Sequence, residues 1–168
     1  LELSRKGFTV RQLLQFFTCK CIARKRMTTE EVVRDIIIPE TAKGQTCYMD
    51  SDFMKERGGR QVAKKLVSHA WKSPFMNTVV NILLDATGLD TEELTRKLST
   101  DGIWRQLDAT KALVQLSNDV LDQTYWLCIF AVNEHKSICG DCWDCKPKTE
   151  AEFAAPTCTF ATENVTAP

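Results

Sequence analysis

The chain has 168 residues, 43% of them apolar and 26% charged, which suits one core of ordinary size. Lys and Arg total 22 and balance 22 Asp and Glu, so bulk charge selects neither nucleic acid nor an anionic surface as partner. No run of about 18 apolar residues occurs, so no membrane-spanning helix is expected, and the N-terminus lacks the apolar stretch of a secretory signal.

Charge is uneven along the chain. Arg5, Lys6, Arg11, Lys20, Arg24, Lys25 and Arg26 face a single acid, Glu2, in the first 27 residues. A solvated helix face explains this cluster more simply than contact with RNA or lipid. The start at Leu1 rather than Met leads to the expectation of a fragment or processed product. Val10, Leu13, Leu14, Phe17 and Cys21 recur at helical spacing, so a helix is predicted from Thr9, its N-cap, to about Arg24. A second helix is expected from Thr28, which with Glu31 forms a capping-box pattern. Its apolar face is Val32, Val33, Ile36 and Ile37, and Pro39 is expected to stop it. Residues 43–61 are rich in turn formers, with a short strand expected at Thr46–Met49.

Val62–Ser68 reads as the first strong strand, followed by His69-Ala70-Trp71. Ser73-Pro74 predicts a helix start, with Ser73 as cap and Pro74 at the first helical position. Phe75, Val79, Ile82, Leu83 and Ala86 form its apolar stripe, and Gly88 suits a left-handed C-terminal position. Asp90 with Glu93 opens a short helix to about Leu98. Thr100-Asp101-Gly102 is a turn, and helical spacing resumes from about Ile103 to Leu121, with a break near Asp108. Thr124–Val132 is almost wholly apolar without alternation, which reads as a central strand covered on both faces. Strand, helices and strand make a crossover unit, so the two strands are expected to be parallel. The expected organisation is an N-terminal helical segment (1–45), an α/β core (46–140) and an irregular tail rich in Cys, Pro and Thr (141–168).

In open parallel sheets ligands bind beyond the carboxyl ends of the strands. Both histidines, His69 and His135, fall there, with Ser68, Trp71, Asn133 and Glu134 beside them. The helix start at Ser73 adds backbone N–H groups suited to a phosphate or carboxylate. Glu134 can serve as acid/base, metal ligand or acceptor for a ribose hydroxyl, and a solvated loop acid is the plain alternative. Trp71 and Tyr125/Trp126 can stack on a base, although core packing is the commoner role. Ser68 and His69 are adjacent, so a strand sends them to opposite faces, and no G-x-S-x-G elbow is present; a serine hydrolase is not expected.

Eight cysteines occur. Cys19, Cys21, Cys47 and Cys128 lie in or beside apolar segments, where a free thiol packs as a small hydrophobe, and a reducing, cytoplasmic setting is expected. In the tail, Cys139, Cys142 and Cys145, with Cys158 further on, have spacings that can hold zinc, with His135 as an alternative ligand. A cysteine-rich loop without metal remains the alternative, since a second, separate C-x-x-C pair is missing; an iron–sulfur cluster is a third reading. Asn164-Val165-Thr166 matches a glycosylation sequon, a triplet common by chance.

Two segments carry a family resemblance. Ser68-His69-Ala70-Trp71 with Phe75, and Tyr125-Trp126 with Phe130, Val132, Asn133 and His135, resemble the strand-end motifs of a family from protists and algae, including dinoflagellates. Thr28 to Thr41 resembles the segment before that family's first strand. Over about residues 9–140 the chain is similar to that family, whose strand ends resemble those of TIR-like and heterokaryon-incompatibility-type domains. The resemblance implies a flavodoxin-like parallel sheet with flanking helices, here incomplete. It also implies a signalling domain that binds a nucleotide of the NAD type or self-associates. Glu134 stands where the family carries Gln, and nothing here matches the later helix that bears the catalytic Glu of TIR enzymes, so no catalytic residue carries over. An interaction module of a larger multidomain protein and a zinc domain using the tail cysteines are the other readings.

Overall fold

The computed structural model describes residues 2–21, 24, 26–99 and 108–135. Its architecture is mixed α/β: many short helices surround a three-stranded sheet in the order β1-β3-β2. The strands are β1 (Phe8–Thr9), β2 (Lys65–Leu66) and β3 (Thr124–Trp126). β2 runs parallel to β3, with Lys65 opposite Tyr125 and Leu66 opposite Trp126, as the crossover argument requires. β1 pairs antiparallel on the other side, Phe8 opposite Tyr125, so the sheet is mixed rather than wholly parallel. That third strand comes from the segment read as purely helical.

Local chemistry explains most helix boundaries. Thr9 caps α1 (Val10–Phe16): its hydroxyl accepts from Gln12 N–H at 3.1 Å while Gln12 Oε1 accepts from Thr9 N–H at 2.8 Å. The other end of that buried amide donates to the Arg57 and Gly59 carbonyls, at 3.0 and 2.8 Å, tying α1 to a distant turn. A wider, five-residue turn at Phe17–Cys21 continues α1. Thr28 and Glu31 form the expected reciprocal cap on α2 (Thr29–Val32).

Pro39 does not end this second helical stretch. The chain passes through another wide turn, Val33–Ile37, in which Ile38 N–H reaches back to Val33 O, and continues as α3 (Ile38–Thr41). A proline ring clashes with the carbonyl four residues back in a regular helix; the widened turn before it relieves that demand. The strand expected at Thr46–Met49 is instead a single tight helical turn, Tyr48–Asp50, ahead of α4 (Asp52–Lys55).

α5 (Phe75–Thr87) is the longest helix and presents Phe75, Val79, Ile82 and Leu83 to the core. Gly88 follows at φ 67°, donating to Leu84 O, the left-handed ending its position predicts. Ser73 is not the cap of α5. Pro74 occupies the capping position in extended conformation, and Ser73 O accepts from Thr29 N–H at 3.0 Å instead. Asp90 caps α6 (Thr91–Leu98) through Glu93 N–H, and Asp108 caps α7 (Ala109–Gln115) through Lys111 N–H. α8 (Asn118–Leu121) leads into β3. The turn expected at 100–102 and the helix start at 103–107 lie outside the described residues.

The nine-residue strand expected at Thr124–Val132 is a strand only as far as Trp126. Cys128–Ala131 is a helical turn, α9, and Val62–Ser68 likewise pairs as a strand only at Lys65–Leu66. A strand would send Ile129 and Phe130 to opposite faces, whereas a helical turn lets both enter one core, where each is fully buried. Phe130 meets Phe16 at 4.9 Å, Phe8 at 5.2 Å and Tyr48 at 5.6 Å between ring centres. Residues from the first 45 positions share this cluster with α5, β3 and α9. Gly7 closes the sheet margin by exchanging two 2.8 Å backbone hydrogen bonds with Gln61; a Cβ there would lie 2.9 Å from the Ala63 backbone, so only glycine allows the approach.

Candidate functional site

Beyond Leu66, at the carboxyl end of β2, the chain runs through Val67–Ala70 without regular secondary structure and turns at Trp71. Glu30 N–H donates to Trp71 O at 2.9 Å and Phe75 N–H donates to Met27 O at 2.8 Å. These bonds clamp the loop between α2 and α5. The second also occupies the Phe75 N–H, one of the groups that the helix start near Ser73 was expected to offer an anion.

His69 is half-buried on this loop. Its Nε2 and Nδ1 lie 3.7 and 3.9 Å from Cys128 Sγ, and its ring centre is 5.9 Å from that of Trp71. Burial lowers the imidazole pKa below the ordinary 6.5, so the ring is neutral at pH 7. Cys128 opens α9, two residues after β3, so the parallel pair β2–β3 brings the two side chains together across 59 positions of sequence. Burial pushes its thiol up to about 11, the charge of Glu134 adds to the rise, and the nearby backbone N–H groups of Ile129 and Cys128 oppose it.

Glu134, expected at this strand end, is buried rather than solvated. Only 3% of it is exposed, its Oε1 is buried without a hydrogen-bond partner, and desolvation pushes the carboxyl up to about 7. Its neighbours hold it there. Asn133 Nδ2 donates to Gln45 O at 2.5 Å and its Oδ1 accepts from His135 N–H at 3.0 Å. His135 Nε2 lies 2.9 Å from Thr41 Oγ1. Because the Thr41 hydroxyl donates to Ile37 O at 2.6 Å, the imidazole is the donor in that bond. Both residues flanking Glu134 are thus anchored to the 41–45 loop, where Gln45 itself adopts a left-handed φ of 44°. The carboxylate between them turns inward.

The six residues expected at the strand ends therefore divide. His69 lies against Cys128 and beside Trp71, and the charge of Glu134 acts on the same thiol. Asn133 and His135 bond Gln45 and Thr41, so the two imidazoles have different side-chain partners, Cys128 for His69 and Thr41 for His135. The cause is α9, which displaces residues 133–135 from the strand end. Ser68 lines a different, shallow cleft with Lys65, Asn81, Asp85 and Tyr125. There Asp85 accepts from Lys65 Nζ at 2.6 Å and from the Tyr125 hydroxyl at 2.5 Å. Cys128 was read only as a small hydrophobe; its place just past a strand's carboxyl end is the one signal that could have marked it.

Cys139, Cys142, Cys145 and Cys158 lie outside the described residues. Among the described residues no group of three His, Cys, Asp or Glu side chains is arranged to hold a metal ion, and no helix is long and apolar enough to cross a membrane. No protein-family model, curated protein or solved structure matches the chain.

Proposed function

We propose that the chain is a TIR-like signalling domain that binds a nucleotide of the NAD type at the rim formed by His69, Trp71 and Glu134. The observation that carries this reading is the buried carboxylate oxygen of Glu134. An acceptor removed from water with no donor costs about 1–3 kcal/mol, and more when charged. A ligand hydroxyl would offset that cost, and a ribose offers two of them. The half-buried indole of Trp71 adds a face on which a base or nicotinamide ring can stack. The site's place, past the carboxyl ends of the only parallel strand pair described, is where α/β sheets take up such ligands.

Calorimetric titration of the purified chain with NAD+ tests the proposal. One saturable site is expected, weakened at least about tenfold in both Trp71→Ala and Glu134→Gln, the effect of about 1.4 kcal/mol. Absence of binding, or binding that neither variant alters, contradicts it. Nicotinamide release measured on the same samples separates a binding domain from an NAD-cleaving one.

A further inference from the structure

We infer that the Cys128 thiol, with the His69 imidazole as its base, is a nucleophile toward activated acyl groups, esters or thioesters, at this rim. Two observations support it. Both imidazole nitrogens lie within 3.9 Å of the sulfur, so either tautomer offers it a basic nitrogen after a ring rotation. The Glu134 carboxyl, 3% exposed and with one oxygen unpartnered, acts on the same thiol through its charge.

A thiol at about 11 is protonated at neutral pH, so attack requires a base within reach, and His69 is neutral and ready to accept. In the first step the thiol proton passes to His69, the sulfur electron pair forms the S–C bond, and the C–O or C–S bond to the leaving group breaks. The leaving group takes the proton from His69, or departs as an anion while His69 gives its proton to solvent, so that His69 is neutral again. Water then adds to the acyl carbon as His69 removes its proton. The S–C bond breaks, the carboxylic acid leaves, and the thiol regains its proton. The inference does not rest on nucleotide binding: acylation needs no nucleotide, so either experiment can fail while the other succeeds.

The test uses the whole chain and 4-nitrophenyl acetate at pH 7, following nitrophenolate release and mapping the acetyl group by peptide mass analysis. A burst of about one equivalent, with the acetyl on Cys128, is expected. Cys128→Ser should abolish the burst and His69→Gln should slow it about 100-fold, the low end for loss of a general base. Circular dichroism establishes that the variants are folded. Should Cys128→Ser fail to fold, the mapping in the unaltered chain and the His69→Gln rate still decide. Acetylation spread over Cys19, Cys47 and lysines with Cys128 spared, or an unchanged rate in folded His69→Gln, overturns the inference.

Discussion

Phe130→Ala is expected to destabilise the fold by about 3–5 kcal/mol, a large share of the about 5–15 kcal/mol that holds a typical domain together. The ring is fully buried and stands at the centre of an aromatic cluster contributed by distant parts of the chain: Phe8 from β1, Phe16 from α1, Tyr48 from the turn before α4, and Phe75 from α5. Its contacts with Phe8 and Phe16 are edge-to-face, at interplanar angles of 88° and 72°, the arrangement that adds to simple area burial. Truncation leaves a cavity that four rigid rings and backbone segments close poorly. Urea unfolding followed by circular dichroism should show a much lower midpoint with an unchanged slope. A loss under about 1 kcal/mol would mean that the core is organised around some other residue.

Glu134→Gln should act in the opposite direction, and only above about pH 4.5. The folded carboxyl titrates at about 7, above its ordinary 4.5, because burial disfavours the charge. Below pH 4.5 folded and unfolded chains are both protonated there and the residue costs nothing. Between 4.5 and 7 the unfolded chain releases a proton that the folded chain retains, so stability falls as pH rises. Above about 7 both are ionised and the full penalty stands. The difference between about 7 and 4.5, at about 1.4 kcal/mol per pH unit, is about 3 kcal/mol. Glu134→Gln should therefore match the unaltered chain at pH 4 and exceed its stability by up to about 3 kcal/mol at pH 8.5. Urea midpoints at pH 4, 5.5, 7 and 8.5 measure this, and a difference independent of pH would show that the carboxyl is not desolvated. A side chain that lowers stability where it stands fits the behaviour of binding sites, whose groups are completed by a ligand.

The parts of this fold that were legible in sequence are those decided within a few residues. Thr28 with Glu31, Asp90 with Glu93, and Gly88 after an apolar stripe each announce a helix end through one hydrogen bond or one backbone angle, and each does so in the structure. The parallel pairing of Lys65–Leu66 with Tyr125–Trp126 was legible from connection rules alone. Thr124–Val132 was not, because an unbroken apolar run carries no period; only the demand of the ring cluster for Phe130 decides that the strand stops at Trp126. Pro39 misled because a wide turn can absorb a proline inside a helical stretch, a device with no simple residue signature. At the site, topology placed His69, Trp71 and Glu134 at the right end of the sheet. It could not separate Glu134, turned inward, from Asn133 and His135, which tie down its loop, and it gave no reason to single out Cys128.

The ionisation of Glu134 bears most directly on whether this rim is a ligand site. Carbon-13 NMR of the labelled side-chain carboxyl, followed across pH in the free chain and with NAD+ present, measures it. A midpoint near 7, lowered when the ligand supplies hydroxyl donors, is the predicted result. A midpoint within the ordinary carboxylate range, unmoved by NAD+, would contradict it.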